Sequence, residues 1–509
     1  MQTFPLITIL LILPALTALV IGFAQAKLAR TIALGGSIAA FLGALPLLGL
    51  ANQSPGSGFA AEQNVPWLSN VHVNFHVGVD GASGLLIVLS TFLQIFAVAY
   101  SFENIKDRVK EFYICLMVLE AALVGAFSSL DLILFYVFFE LSLIPVYFLI
   151  GIWGGPRRVA AANKFFIYTV VGSLLMLVSI IALFLRTGTF DLLEIQQHLQ
   201  TSATPLTQGA ELLLFGGFAM AFAVKTPLWP FHTWLPDAYA ESPIACTVLL
   251  SGAMAKLGTY GFYRFCYTLF PDACYQLAPV IVALAVIGIV YGALVAAVQR
   301  DVKRVIAYSS VSHLGFVMLG LFSFVGPGQV SPSALQGALL QNINHGISTG
   351  ALFLIVGILD PRRGTRRIAD LGGLWEQMPV FGRIFLIVTL SSIALPLTNG
   401  FVGEFLILLG AFQAFPVAAA IATTGVIWSA VYMLWMFQRV MYGPATDPAT
   451  RRVADLNRSE LALLAPFVVL IFLFGLMPTL FTRGLNVSPM TPAVAAAPSV
   501  PGALTEASR

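Results

Sequence analysis

The chain has 509 residues, 58% of them hydrophobic and only 10% charged, with a net charge of +3. Such proportions exclude an ordinary water-soluble domain, and so small a charge excess gives no ground for a nucleic-acid partner. What remains is an all-α polytopic membrane protein whose main surroundings are the lipid bilayer.

A helix needs about 20 apolar residues to cross a hydrocarbon core of roughly 30 Å. Fourteen stretches of suitable length follow one another, at 4–23, 31–50, 81–101, 112–129, 131–152, 161–186, 209–225, 243–267, 275–298, 302–323, 333–359, 381–412, 416–441 and 459–480. The first has no Lys or Arg before it and no small-residue cleavage pattern after it, so it is expected to remain in the mature protein. Short connections make residues 1–509 a single membrane domain. Two segments stand apart. Residues 51–80, with Pro55, Gly56, Gly58, Pro66 and Trp67, are expected to form an ordered outer-face loop, and 484–509, rich in Ala, Pro and Ser, a weakly ordered outer-face tail.

Nineteen of the 26 Lys and Arg residues lie in connections after odd-numbered helices, whereas only Arg186, Arg264, Arg483 and Arg509 lie on the opposite side. Cytoplasmic loops collect these cations, so both termini are expected on the outer, periplasmic face. Topology leaves Lys164, Lys225 and Lys256 unassigned, because each sits within a span or at its break.

Helices seven, eight and twelve contain helix breakers. Helix seven breaks at "KTPLWPF", and helix twelve, five helices later, breaks at "LPLTNGFVGEF". An odd offset reverses direction across the membrane, as an inverted-topology repeat requires, and such repeats surround a site near the midplane with discontinuous helices. Pro227 and Pro230 remove backbone donors, and the carbonyls they free call for a hydrated pocket beside Lys225.

Burying a Lys, Asp or Glu at a helix centre costs at least about 2.5–3.5 kcal/mol on insertion scales. Glu120, Glu140, Glu404, Lys164, Lys225 and Lys256 are placed so. As static staples they would be a poor choice, since buried ion pairs are often no more stabilising than apolar residues; Lys164, near the cytoplasmic end, is the one placed to snorkel. Of the six histidines, His72, His76, His198 and His232 lie in or beside loops. His313 and His345 lie mid-helix at similar depth, flanked by Ser309, Ser310, Ser312, Asn342 and Asn344, a stripe suited to relaying protons. The same two histidines also suit the axial ligands of a haem, a rival reading that leaves the buried charges unexplained. Cys115, Cys246, Cys266 and Cys274 show no C-x-x-C spacing, and no phosphate-binding or dinucleotide-binding glycine motif occurs. No metal, nucleotide, flavin or iron–sulfur site is therefore expected in this chain.

The segments "FYVFFELSLIPVYFLIGIWGG" (135–155), "KTPLWPFHTWLPDAYAESP" (225–243), "SSVSHLGFV" (309–317), "NHGISTGALF" (344–353) and "PLTNGFVGEF" (396–405) resemble the subunit M family. These are antiporter-like membrane chains of bacterial respiratory complex I, the proton-pumping NADH:quinone oxidoreductase. Subunit L and Mrp-type sodium/proton antiporters are similar, and the latter is the alternative, but the long C-terminal extension expected of subunit L is missing here. The resemblance implies two inverted five-helix repeats, helices four to eight (112–267) and nine to thirteen (275–441). It implies a coupling pair of Glu140 and Lys225, a polar path through Lys256, His313 and His345, and Glu404 at an outer half-channel. Lys164, Glu120 and His232 complete the candidate set. NADH, FMN, iron–sulfur clusters and quinone are expected in partner subunits, and the neighbouring antiporter-like subunits L and N are expected as contacts in the inner membrane. At about 6 Å and an effective dielectric near 20, Glu140 and Lys225 would attract by roughly 3 kcal/mol, enough to switch the lysine between holding and releasing a proton.

Overall fold

The structure is a computed structural model that describes residues 5–50, 58–202, 206–443 and 453–485. All but the first two residues of the expected tail at 484–509 lie outside the described residues, as do 51–57 of the long loop and the sorted Arg451, Arg452 and Arg509.

The helices in chain order are α1 (Leu6–Phe23), α2 (Ala26–Ala44), α3 (Gly81–Asn104), α4 (Val109–Ser128), α5 (Leu132–Trp153) and α6 (Arg158–Thr187). Next come α7a (Gln208–Lys225) and α7b (Trp234–Glu241), then α8, a run of short segments from Ile244–Leu249 to Tyr267–Leu269. The second half comprises α9 (Pro271–Ala297), α10 (Val302–Leu321), α11 (Pro332–Arg363), α12a (Pro379–Ser392), α12b (Asn399–Ala414), α13 (Pro416–Met441) and α14 (Arg458–Leu476). Among the described residues eleven helices are long and apolar enough to cross a membrane. Expected spans seven, eight and twelve are not among them: span seven is one continuous 18-residue helix that carries Glu211 and Lys225, whereas π-turns divide span eight and the break after Ser392 divides span twelve.

Asp residues set several helix starts. Asp131 accepts from the N–H groups of Ile133 and Leu134 at 2.9 and 3.0 Å, and Asp301 from those of Lys303 and Arg304 at 2.8 and 3.2 Å. Each satisfies donors that the first helical turn leaves free. At the centre stands α11, whose most apolar 18-residue window is 100% buried, with α10 beside it. Within that window the helix presents no face to lipid, so its polar side chains there point at protein.

The all-helical pattern has two small exceptions. The described part of the long loop is a hairpin of β1 (Ala60–Leu68) and β2 (Val73–Val79), and β3 (Phe324–Gly326) pairs with β4 (Gln329–Val330) between α10 and α11. Both hairpins lie at the end of the bundle that the charge sorting assigns to the outer face.

Candidate proton-relay site

Lys225 ends α7a because Pro227 follows two residues later and cannot donate to the carbonyl of Ala223. The N–H of Leu228 takes that carbonyl at 2.8 Å, and the Trp234 indole takes the carbonyl of Val224 at 2.9 Å. The hydrated gap expected from freed carbonyls is thus not required, since groups across the break satisfy both. Gly258 lets α8 lie directly on this break: a Cβ there would come within 2.6 Å of the Phe222 carbonyl oxygen.

The lysine side chain, 1% exposed, donates to Ser142 Oγ at 3.3 Å and lies 4.6 Å from the centre of the Phe139 ring. Glu140 is half-buried, with one carboxylate oxygen lacking a hydrogen-bond partner. It acts on Lys225 through space without a direct ion pair. The coupling pair is expected at about 6 Å, and no salt bridge between its two members is found among the described residues. Pro145 interrupts α5 at Ser142, and the serine hydroxyl at that interruption takes the ammonium instead.

A second cation begins a longer row. In α8 the π-turn Leu250–Met254 shifts the hydrogen-bond register, and the carbonyl of Ser251 accepts from Lys256 Nζ. Lys256, fully buried, also meets Nδ1 of His345 at 2.7 Å. Gly346 makes this approach possible, because a Cβ there would sit 2.7 Å from the Gly252 carbonyl oxygen. The His345 ring lies 6.0 Å from that of His313, centre to centre, and His313 Nδ1 meets Glu404 Oε1 at 2.7 Å. Gln341 adds a donor to the same oxygen at 3.1 Å. Nε2 of each histidine and Oε2 of Glu404 are buried without a hydrogen-bond partner. Between the rings is a cavity of about 10 Å³, lined by His313, Gln341, Asn344, His345, Ser348 and Ser391 among others. Such a volume holds about one water and no macrocycle, so the haem reading fails on space.

The family model described as NADH:quinone oxidoreductase/Mrp antiporter, TM, matches residues 129–429, more than half the chain and the whole row from Glu140 to Glu404. The chain belongs to this family. A relative named NADH-quinone oxidoreductase subunit M, from Rhodobacter capsulatus, is 41% identical over 492 residues and is covered to 94% of each chain. The structure of respiratory complex I from Thermus thermophilus with bound NADH contains a chain that superposes with a TM-score of 0.85 at 33% identity, over 94% of this chain and 97% of that one. The Mrp complex from Dietzia sp. DQ12-45-1b gives a TM-score of 0.81, but at 23% identity and over 51% of that chain, a likeness of fold alone. Within the family, the sequence therefore sides with the oxidoreductase subunits and not with the Mrp antiporters.

The remaining candidates scatter. Glu120 is 1% exposed, with neither carboxylate oxygen hydrogen-bonded. Lys164 is half-exposed and bonded to Asp237 at 2.8 Å, a carboxylate it shares with Arg304 at 2.9 Å. His232 lies in the α7 break, buried against the Tyr291 ring at 5.1 Å. Two features escaped the sequence reading. Lys303, sorted there as a loop cation, is buried and donates to the carbonyl of Ser242 at 2.5 Å just past the end of α7b; its place two residues after a helix-capping Asp was the available signal. Asn399, at the α12 break, donates to the Asn344 carbonyl at 3.1 Å and to Ser348 at 3.2 Å, accepts from Ser391 at 2.6 Å, and its own carbonyl accepts from Asn344 at 2.7 Å. Among the described residues no three His, Cys, Asp or Glu side chains are grouped to hold a metal ion.

Proposed function

We propose that this chain is the antiporter-like M subunit of a proton-translocating NADH:quinone oxidoreductase in a bacterial inner membrane, with both termini on the periplasmic side. The row Lys256, His345, His313, Glu404 is the observation that carries the reading: its members lie in hydrogen-bond contact or one ring separation apart, and each keeps a titratable atom. Protons enter from the cytoplasm and load Lys225 or Lys256, while Glu140 biases Lys225 through its charge. From Lys256 they pass the two histidines to Glu404 and the outer face. Glu120, Lys164 and His232 lie off this line and set its electrostatic surroundings.

Residues 112–267 and 275–441 act as the two inverted repeats, so one half offers Lys225 and the other Glu404 at corresponding breaks. The chain holds no redox centre of its own. Electrons pass from NADH through flavin and iron–sulfur clusters to quinone in partner subunits, and neighbouring L and N subunits flank this one. In proteoliposomes of the assembled complex, Lys256→Ala and Glu404→Ala are expected to abolish proton transport from this chain while NADH:quinone turnover persists at a reduced rate. Transport should be indifferent to sodium. Unchanged pumping in both variants would sink the relay, and a sodium requirement would favour the Mrp-type alternative.

A further inference from the structure

The row leaves Lys256 sideways, towards α11, although α8 itself continues outward for three more turns. We propose that Arg264 is a fixed-cation seal that closes this straight exit and so forces protons on Lys256 through the histidines. The inference rests on Lys256 being a proton-carrying residue.

Arg264 follows Lys256 by eight residues on α8, about 12 Å along a helix axis, and belongs to the second π-turn, Phe262–Cys266. It is 8% exposed. Its Nη2 donates to Asp80, the carboxylate that caps α3, and its Nε donates to the Tyr260 hydroxyl at 3.1 Å. The guanidinium lies 4.7 Å from the centre of the Phe59 ring. It is thus held by a cap, a phenol and an aromatic face at once.

The directions of these bonds decide what they can conduct. A proton wire needs every member to accept on one side and donate on the other. Tyr260, one turn outward from Lys256, spends its hydroxyl hydrogen on the Phe127 carbonyl at 2.9 Å and accepts from Arg264. Arginine has no lone pair with which to accept in turn and stays charged at every relevant pH. A proton reaching Tyr260 from below therefore meets a donor facing it, backed by a permanent positive charge. Further out, the Tyr267 hydroxyl donates to the Leu321 carbonyl, and its ring packs against Phe322 and Phe324. By contrast, the lateral neighbour His345 offers a ring nitrogen at 2.7 Å from Lys256.

The test uses the assembled complex in proteoliposomes without NADH, with a valinomycin-clamped potassium potential driving protons and an internal pH dye reporting the passive leak. Arg264→Gln should raise the leak several-fold, Arg264→Lys should stay tight, and Asp80→Asn, which keeps the cation, should stay nearly tight. Adding Lys256→Ala to Arg264→Gln should return the leak to baseline. A tight Arg264→Gln complex, or a leak that survives removal of Lys256, overturns the seal. If Arg264→Gln does not assemble, Arg264→His replaces it: the same preparation should be tight at low pH and leak as the imidazole loses its charge, and a pH-independent leak rejects the proposal. The outcome is separable from the relay itself. If Lys256→Ala alone pumps normally, yet Arg264→Gln leaks through Lys256, the relay reading falls while the seal stands.

Discussion

The two broken helices solve the same backbone problem in opposite ways. At the α7 break the orphaned carbonyls go to Leu228 and Trp234, and the cation beside them keeps one hydrogen bond, a 3.3 Å contact with Ser142. At the α12 break, where Ala394 and Leu397 take positive φ angles of 57° and 77°, Asn399 ties the chain to Asn344, Ser348 and Ser391. Glu404, a turn further on, is held by His313 at 2.7 Å and by Gln341 at 3.1 Å. One break leaves its charge loosely partnered, and the other locks both backbone and charge. On the proposed relay, a loosely partnered charge is the one to change partners during turnover, and a locked one is to give the path a fixed end.

The strongest way to break this contrast is to remove the loose charge. Lys225→Ala should cut NADH-driven proton transport about a hundredfold, the scale on which positioned proton-transfer groups contribute. Thermal stability of the complex should hardly change, because Ser142 loses only one long hydrogen bond. Lys225→Arg should retain less transport than wild type, since a guanidinium does not release its proton. Dye-reported acidification beside a melting curve measures both. A large loss of stability with intact transport would reverse the assignment of loose and locked.

The matching substitution at the other break should behave the other way. Asn399→Ala removes a partner of the Asn344 carbonyl and of the Ser348 and Ser391 hydroxyls, but the two hydroxyls still bond each other at 2.7 Å, so the loss is about that of one buried group left unpaired, about 1–3 kcal/mol. A loss of that size should lower the unfolding midpoint in detergent, while transport by the surviving complex falls only a few-fold. If the midpoint holds and transport vanishes, Asn399 belongs to the moving part and the α12 break is no lock.

This contrast was only half legible in the sequence. The span order, the two breaks and the buried Lys225, Lys256 and Glu404 follow from apolar length and from the cost of charge in lipid. "KTPLWPF" also announces a break, because a proline's missing donor is a local property. What fills the vacancy is not local. Trp234 reaches back ten residues, and Ser142 comes from another helix, so the groups that satisfy the freed carbonyls and the ammonium are side chains that periodicity does not single out. Lys303 shows the same limit, since the charge count saw a loop cation and the fold buries it at the end of α7b. Asn399 was in plain view in "PLTNGFVGEF", but an asparagine beside a proline and a glycine reads as a turn residue until its neighbours are known.

The smallest effect belongs to a charge locked outside the membrane, and it tests whether locking rather than titration is what distinguishes the second break. His76, on β2, is buried between Asp191 at Nδ1 and Glu62, 3.0 Å from Nε2, and joins the outer hairpin to the capped start of the helix Leu192–Thr201. Burial alone would lower its pKa, but the hydrogen bond and charge of Asp191, followed by those of Glu62, outweigh it and hold the value above the ordinary 6.5. A raised folded-state pKa means that the charged form stabilises the fold. That stabilisation is complete below the unfolded value and is lost as pH rises through the folded one. The difference in melting temperature between wild type and His76→Gln should therefore be widest below the ordinary value of 6.5 and shrink as pH rises through the raised folded-state value, while proton transport stays close to wild type throughout. A gap that widens with pH would mean that His76 is held neutral, and a loss of transport would bring the outer hairpin into the relay.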